Sequence, residues 1–323
     1  MKTQASRDLE DYSISIIIPC FNEESAVSGV IRDFKKYLPG SKIYVYDNAS
    51  KDGTVEEALR QNVIVRHEKK RGKGNVMRRA FSDIESDIYV IADGDGTYDL
   101  SKCEEMINSM KCDHLDMVVG VRQGSSSKAH RFGHESGNRA FNFIVRYLFG
   151  GDFVDVFSGL RIFSRRFVKS FPSLSDGFEF ETEVTIHALQ LKLPCLEIPI
   201  CYRERELGTE SKLRTIRDGL KILWRIFILT KQVRPFLLFF SLSIGVSFIS
   251  LWIGMPVLFE FFESGLVERL PTAVAAASIM VIAVFLFVSG IILDGVAYMQ
   301  NEHKRLSYLA TSNRRSEERT MKN

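Results

Sequence analysis

Short apolar runs alternate with polar, helix-forming stretches through the first two-thirds of the chain, and two long apolar runs lie near its C-terminus. Ser13–Pro19 (SISIIIP) is β-branched and ends at proline, and Asn22-Glu23-Glu24-Ser25 follows, where an Asn or Ser can cap a helix reaching Leu38. Ile43–Tyr46, Val63–Val65, Ile88–Ala92 and Met117–Gly120 predict four further strands, with a helix running from the Arg71-Gly72-Lys73-Gly74 segment through Ile84. Runs this apolar suit strands covered on both faces. The alternation of strand and helix predicts an α/β fold with a mainly parallel sheet and helices on both sides. No G-x-G-x-x-G follows the first strand, which disfavours a nicotinamide or flavin Rossmann domain, and no internal repeat is visible.

The predicted strands tend to end in polar clusters. Ile88–Ala92 ends in Asp93-Gly94-Asp95-Gly96-Thr97, and in an open α/β sheet ligands bind outside the carboxyl ends of the strands. Asp93 and Asp95 can converge once the glycine-flanked backbone leaves strand geometry, and hard oxygens of this kind suit Mg²⁺ or Mn²⁺ carrying substrate phosphates. A solvated acidic turn is the competing reading of an isolated Asp-x-Asp. Asp47 stands directly after the second apolar run, where it can accept from a base or ribose, whereas Asn48, Asp52 and Gly53 read as turn formers. Arg71-Gly72-Lys73-Gly74 lacks Walker A spacing, yet two cations between glycines at a helix start suit a diphosphate; a solvated basic loop is the alternative. The fifth strand ends in Arg122.

The late apolar runs are Pro235–Phe259 and Thr272–Met299. As helices rising about 1.5 Å per residue, each is long enough to cross a hydrocarbon core of about 30 Å. Glu260, Glu263, Glu268 and Arg269 lie between them, whereas Arg225, Lys231 and Arg234 precede the first and His303, Lys304 and Arg305 follow the second. The positive-inside rule then puts both termini in the cytosol. Asp294, inside the second run, reads as a polar contact between helices or as a side chain hydrated near the interface. Arg214, Arg217, Lys221 and Arg225 recur at helical spacing, as do Ile216, Leu220, Leu223 and Phe227. These stripes suit a basic amphipathic helix on an anionic leaflet, or packing against the rest of the protein.

Composition removes other classes. A formal charge of +3 over 323 residues is too small for a nucleic-acid binder. The five cysteines form no C-x-x-C pair and read as reduced cytosolic thiols, and Met1–Tyr12 is too polar for a cleavable signal peptide.

In order, Pro19-x-x-Asn22-Glu23, Asp47-Asn48-Ala49-Ser50-x-Asp52-Gly53-Thr54, Gly72-Lys73-Gly74 and Asp93-x-Asp95 resemble the family 2 glycosyltransferases, whose nucleotide-sugar domain is of the GT-A type. Further on, Arg131 with Gly137-Asn138, Asp155-Val156-Phe157-Ser158-Gly159-Leu160-Arg161, Phe178-Glu179-Phe180-Glu181-Thr182-Glu183, and Arg203 with Gly208 and Ser211-Lys212-Leu213 resemble the polyprenyl-phosphate branch. That branch includes dolichyl-phosphate mannose synthase and bacterial undecaprenyl-phosphate glycosyltransferases. The resemblance implies a polar tail at 1–12, a GT-A domain at 13–212, a juxtamembrane amphipathic helix at 213–234, a two-helix anchor at 235–299 and a basic cytosolic tail at 300–323.

The implied activity is inverting transfer of one sugar from a UDP- or GDP-hexose to a polyprenyl phosphate, with Mg²⁺ or Mn²⁺ as cofactor, for cell-surface glycan assembly. Pro19, Asn22, Glu23, Asp47, Lys73, Asp93, Arg203 and Lys212 would bind the nucleotide-sugar, the last two on a loop closing over the diphosphate. Asp93 and Asp95 would hold the metal. Thr97 stands where many relatives carry Gln, so it or water would complete the protein ligands. Arg122, Arg131, Ser158 and Arg161 would meet the acceptor phosphate, as Arg binds phosphate bidentately. Asp95, Asp155 and Arg131 would act in catalysis, Asp155 as orienter or base, and Glu181 would contact the sugar or orient a basic residue. An anionic acceptor does not demand a strong base.

The implied setting is an integral protein of a bacterial inner membrane with a cytosolic catalytic domain. Homo-oligomerisation, a flippase and a downstream glycosyltransferase are the partners left open. Two alternatives stand beside this reading: a family 2 transferase acting on a lipid-linked oligosaccharide or polymer, and a non-catalytic nucleotide-sugar-binding membrane scaffold. Processive synthases usually carry Q-x-x-R-W, and here only Trp224-Arg225 occurs, in reversed order.

Overall fold

The computed structural model describes residues 12–123, 146, 150, 153–174, 177, 180–202, 228, 230, 231 and 234–312. They fall into two units, the first holding the sheet together with the stretch from Lys304 on, the second the long helices up to His303.

In the first unit, β1 (Ile14–Cys20), α1 (Val27–Tyr37), β2 (Lys42–Asp47), α2 (Thr54–Arg60), β3 (Ile64–His67), α3 (Lys73–Asp83) and β4 (Ile88–Ile91) follow the predicted alternation closely. After a 3-10 turn at Leu100–Lys102 come α4 (Cys103–Cys112), β5 (Met117–Gln123), β6 (Arg161–Ser164), α5 (Arg165–Ser170), α6 (Phe180–Leu191) and β7 (Cys195–Cys201). The strand order is β3-β2-β1-β4-β6-β5-β7. Every pairing is parallel except those of β6, which runs against both β4 and β5. One expectation changes at α1. Its N-cap is Ala26, with no side-chain cap, because Asn22 lies further back and accepts from Lys51 N instead.

The two-residue period of a strand sorts the core into two faces. Ile16, Ile18, Val45, Val90, Val118 and Ile162 pack on one side with Val27, Ile31 and Phe34 of α1 and Met106 and Ile107 of α4. Their neighbours Ile17, Tyr46, Tyr89, Ile91, Met117, Val119 and Phe163 turn to the other side, against Met77 and Phe81 of α3, Phe167 of α5 and Phe180 and Val184 of α6. Phe81 meets the rings of Tyr89, Phe163, Phe171 and Phe180 at centroid distances of 5.9–6.4 Å. Such tilted and edge-on rings fill the layer without voids.

The second unit contains α7 (Pro235–Ser264) and most of α8 (Leu270–Ala310), both long and apolar enough to cross a membrane. Few of their apolar side chains are buried, so they are not core helices of a soluble protein. Small residues line their contact. Ser243 Oγ donates to Ala283 O at 2.9 Å and Ser250 Oγ to Ala276 O at 2.7 Å, the close approach and cross-helix hydrogen bonding that favour association in lipid.

His187 of α6 is buried between the edges of the Phe167 and Phe171 rings, and neither ring nitrogen has a hydrogen-bond partner. Burial, with a smaller contribution from the Lys304 charge, pushes its pKa down to about 3. The folded state therefore keeps the imidazole neutral while the unfolded chain takes up a proton. This contribution to stability is complete above the ordinary value near 6.5 and is lost progressively as the pH falls toward 3, by at most about 1.4 kcal/mol per pH unit. His187→Leu is expected to flatten the decline in melting temperature between pH 6.5 and 5 in detergent solution. An unchanged slope would assign the acid sensitivity to other groups.

Candidate active site

The carboxyl ends of β1 and β2 are laced together by their own loop residues. Asn22 N donates to Ser50 Oγ at 3.0 Å and Asn22 Oδ1 accepts from Lys51 N at 2.8 Å, with Asn22 itself at φ 54°. Glu23 N donates to Thr54 Oγ1 at 2.9 Å, Glu24 N to Asp52 Oδ2 at 3.1 Å, and Gly53 N to Glu24 Oε2 at 2.9 Å. Asp47 Oδ1 accepts from Ser50 N, and its Oδ2 lies 3.3 Å from His67 Nδ1. Asn48 donates to Glu68 O and Lys70 O and accepts from Gly72 N, so it anchors the basic loop. Turn formation by Asn48, Asp52 and Gly53 is what their sequence predicts. The side chains of Asn22 and Asp47 share that task. Pro19, half-buried, sits within β1 just before these loops.

Beyond β4 the chain turns sharply at Gly96, whose φ of 71° favours glycine. Asp95 Oδ1 then accepts from both Thr97 N at 3.1 Å and Thr97 Oγ1 at 2.7 Å. The Thr97 side chain is buried and turned onto Asp95, so it orients that carboxylate.

Lys73, expected to contact a diphosphate, stands at the first turn of α3. Its Nζ lies 2.5 Å from Asp93 Oδ1 and 2.5 Å from Glu181 Oε1, with only 9% of the residue exposed. Burial alone would lower the ammonium's pKa, but the two carboxylates outweigh it and raise it above the ordinary lysine value. Glu181 accordingly takes the role of orienting a basic residue. The backbone donors of the basic loop are partly engaged as well, Gly72 N by Asn48 Oδ1 and Gly74 N by Gly177 O at 3.1 Å.

Because β6 is antiparallel, its beginning lies at the carboxyl edge of β4, and Asp155–Gly159 arrive beside Asp93. Ile91 pairs with Arg161, so Gly159 falls opposite Asp93. A Cβ on Gly159 would overlap Asp93 Oδ2 and come within 3.1 Å of Tyr98 Oη. Gly159 N donates to that oxygen at 2.7 Å, and the Tyr98 ring stands edge-on to Tyr202 at 5.4 Å. Sequence reasoning did not single out Tyr98 or Tyr202, since only the fold shows them between the Asp93 and Arg122 sides of the edge.

Arg122 donates from Nε to Asp155 Oδ2 and from Nη2 to Asp155 Oδ1, both at 2.7 Å, and lies over Tyr202 at 5.6 Å. Burial opposes its charge, but Asp155 raises its pKa above the ordinary arginine value. Asp155 is therefore an orienter of Arg122, and with both oxygens in that pair it is poorly placed to be a base. Glu197 of β7 fixes the loop by accepting from Val154 N and Asp155 N.

Two expected acceptor contacts are corrected by burial. Ser158 is fully buried and its Oγ donates to Gly120 O at 2.5 Å. Arg161 is 1% exposed and donates to Ser158 O, Val156 O and Thr185 Oγ1 at 2.7–2.9 Å. Its pKa is lowered by burial, partly countered by Glu181 and Asp155. It braces the Asp155–Gly159 loop from inside and cannot reach a phosphate. Arg131, Arg203 and Lys212, with Gly137-Asn138 and most of the amphipathic segment, lie outside the described residues.

Asp93, Asp95 and Glu181 bring carboxylates to this edge, and their donor atoms are hard oxygens. That set fits a divalent Mg²⁺ or Mn²⁺ at Asp93 and Asp95. Among the described residues no three His, Cys, Asp or Glu side chains form a metal cluster.

Residues 15–171 match the family described as Glycosyl transferase family 2. An uncharacterized protein of Shigella flexneri is 46% identical over 156 residues, covering 48% of this chain and 96% of that protein. The dolichyl-phosphate beta-glucosyltransferase of Saccharomyces cerevisiae is 26% identical over 249 residues, covering 67% of this chain and 73% of that enzyme. Among solved structures, the glucosyl-3-phosphoglycerate synthase from Mycobacterium tuberculosis in complex with Mn²⁺, uridine diphosphate and glucosyl-3-phosphoglycerate has the same fold. Its TM-score is 0.56 at 18% identity, over 69% of this chain and 80% of that one. With a GT-A type sheet carrying its acidic pair at the carboxyl edge, the chain belongs to the family 2 glycosyltransferases.

Two substitutions separate reaction-site geometry from scaffold. Gly159→Ala is expected to displace the Asp93 carboxylate, weakening Mn²⁺ binding by titration at least tenfold while the melting temperature falls by only a few degrees; unchanged Mn²⁺ affinity would remove Asp93 from the metal site. Arg161→Met leaves buried acceptors without a donor and is expected to cost about 3 kcal/mol of stability. A stable variant with only a raised acceptor KM would return Arg161 to the acceptor site.

Proposed function

We propose that the protein moves one hexose from a UDP- or GDP-sugar to a polyprenyl phosphate, with inversion, on the cytosolic face of a membrane. One observation carries the reading: Asp93 and Asp95 leave β4 at the ligand-binding edge of a family 2 sheet, on a chain that also has two helices long enough to span a bilayer. The yeast relative's name, a dolichyl-phosphate glucosyltransferase, supports a lipid-phosphate acceptor, and the Mn²⁺ and uridine diphosphate of the solved structure support a metal-assisted nucleotide leaving group.

The proposed roles draw on the geometry of the described residues and, for Arg131, Arg203 and Lys212, on the resemblance alone. The laced loops after β1 and β2, with Pro19, Asn22, Glu23 and Asp47, hold the nucleotide end of the donor. Thr97 orients Asp95, and Lys73 holds Asp93 in place from the protein side. A bound Mg²⁺ or Mn²⁺ would supply Lewis-acid neutralisation of the leaving diphosphate. Arg122, fixed by Asp155, steers the acceptor phosphate toward the anomeric carbon, and by the resemblance Arg131 would act with it and Arg203 and Lys212 would bind the diphosphate.

One phosphate oxygen forms the new bond to the anomeric carbon as the bond from that carbon to the nucleoside diphosphate oxygen breaks. The acceptor enters as an anion, so no proton need be taken from it, in keeping with the engagement of Asp155 by Arg122. With both termini cytosolic, as in a bacterial inner membrane, the lipid-linked sugar would need a flippase before a later glycosyltransferase could use it.

Asp95→Asn tests the assignment. The variant is expected to keep the wild-type melting temperature within a few degrees and to lose transfer by at least a hundredfold, and EDTA should abolish wild-type transfer reversibly. Full activity in Asp95→Asn would end the metal role of this edge.

A further inference from the structure

Among the described residues after the second apolar run, Lys304–Ser312 are folded against the sheet. Residues from Lys304 on group with the sheet unit, and Tyr308 is 4% exposed, in the same core cluster as Phe163 and Phe167. Tyr308 Oη donates to Asp116 Oδ2 at 2.6 Å. The guanidinium carbons of Arg166 and Arg305 lie 4.6 and 5.1 Å from the centre of its ring. Lys304 Nζ donates to Gln190 Oε1 at 3.0 Å, Arg305 Nη1 to Leu191 O at 3.2 Å, and Arg165 Nη1 to Ser312 O at 3.0 Å.

Asp116 is a buried receptor for this stretch. Besides Tyr308 it accepts from Ser164 Oγ at 2.7 Å and from Arg166 Nε and Nη2 at 2.9 and 3.1 Å, and its own N donates to Pro194 O. It immediately precedes β5, Ser164 ends the antiparallel β6, and Pro194 immediately precedes β7. The docking point is therefore the amino edge of the sheet, opposite the edge that carries Asp93. Basic residues after a membrane span are explained by charge alone. A buried tyrosine bonded to a fully buried carboxylate is not.

We propose that Lys304–Ser312, the last turns of α8 and the two residues after it, is a docking strap held on the catalytic sheet, making transfer to a bilayer-embedded acceptor depend on the Tyr308–Asp116 contact. The inference rests on the lipid acceptor proposed above. In the sequence the two long helices lie between Tyr202 and Tyr308, and the described residues on both sides of them belong to the sheet unit. Attachment at a second point restricts the orientations the domain samples and raises the effective concentration of its site for an acceptor confined to the bilayer. An acceptor arriving from water gains nothing from it.

The test uses full-length protein in phosphatidylcholine vesicles, with a long polyprenyl phosphate embedded in them or a short water-soluble prenyl phosphate added from outside. Tyr308→Ala is expected to lower kcat/KM for the embedded acceptor about tenfold or more and for the soluble one less than twofold, with donor KM unchanged. Tyr308→Phe, which keeps the ring and loses the hydroxyl, should fall between. Equal losses on both acceptors, or none on either, would overturn the coupling. Amide hydrogen exchange over 304–312 is read in parallel: slow in the wild type and fast in Tyr308→Ala is expected, and fast exchange in the wild type would overturn the docking itself. If wild-type protein transfers to neither acceptor, the lipid-acceptor reading fails and takes the coupling with it, whereas the docking stands or falls by exchange alone.

Discussion

Burial of the Lys73 ammonium between Asp93 and Glu181 is the constraint to which the carboxyl edge of the sheet is fitted. An ammonium taken out of water costs several kcal/mol unless charged partners meet it in good geometry, and here it has two. Satisfying it brings together the first turn of α3, the end of β4 and the first turn of α6, three elements far apart in the chain. The carboxylates of Asp93 and Asp95 at this edge are hard oxygen donors of the kind that suit a divalent ion and its phosphates. Lys73 is the internal counterion that holds the Asp93 carboxylate in place.

The second constraint is the direction of β6. A wholly parallel sheet would send the Asp155–Gly159 segment to the amino edge, away from Asp93. Inserting one antiparallel strand between β4 and β5 brings the start of β6 to the reacting edge. There Gly159 is small enough to lie against Asp93, and Asp155 can pin Arg122. The same reversal carries the end of β6 to the opposite edge, where Ser164 helps Asp116 receive Tyr308. One strand's direction thus serves both the reaction site and the attachment of the C-terminal stretch.

Much of this was legible in the sequence where local patterns decide the outcome. The five strands from β1 to β5, the glycine turn after β4, the acidic pair and the two long apolar helices follow from apolar runs and their punctuation. What the sequence could not yield depends on side-chain direction. Ser158 and Arg161 sit in a motif beside the site, yet their side chains point into the core, and no spacing rule distinguishes a phosphate-binding arginine from one bracing a loop. β6 and α6 lack a marked period, because α6 is buried on most of its circumference and β6 on both faces. Lys304 and Arg305 were read for charge, and the burial of Tyr308 only three residues later has no local signature.

The central claim is that a metal-bearing carboxyl edge, tied to a membrane, delivers one sugar to a lipid phosphate. Mass spectrometry of the organic extract, after incubating the purified protein with Mn²⁺, polyprenyl phosphate and a panel of UDP- and GDP-sugars, addresses it most directly. The account predicts a polyprenyl phosphate heavier by a single hexose, formed from one donor, absent with EDTA and labile to mild acid. A ladder of added sugars, or an unchanged lipid beside a folded, donor-binding protein, would contradict it.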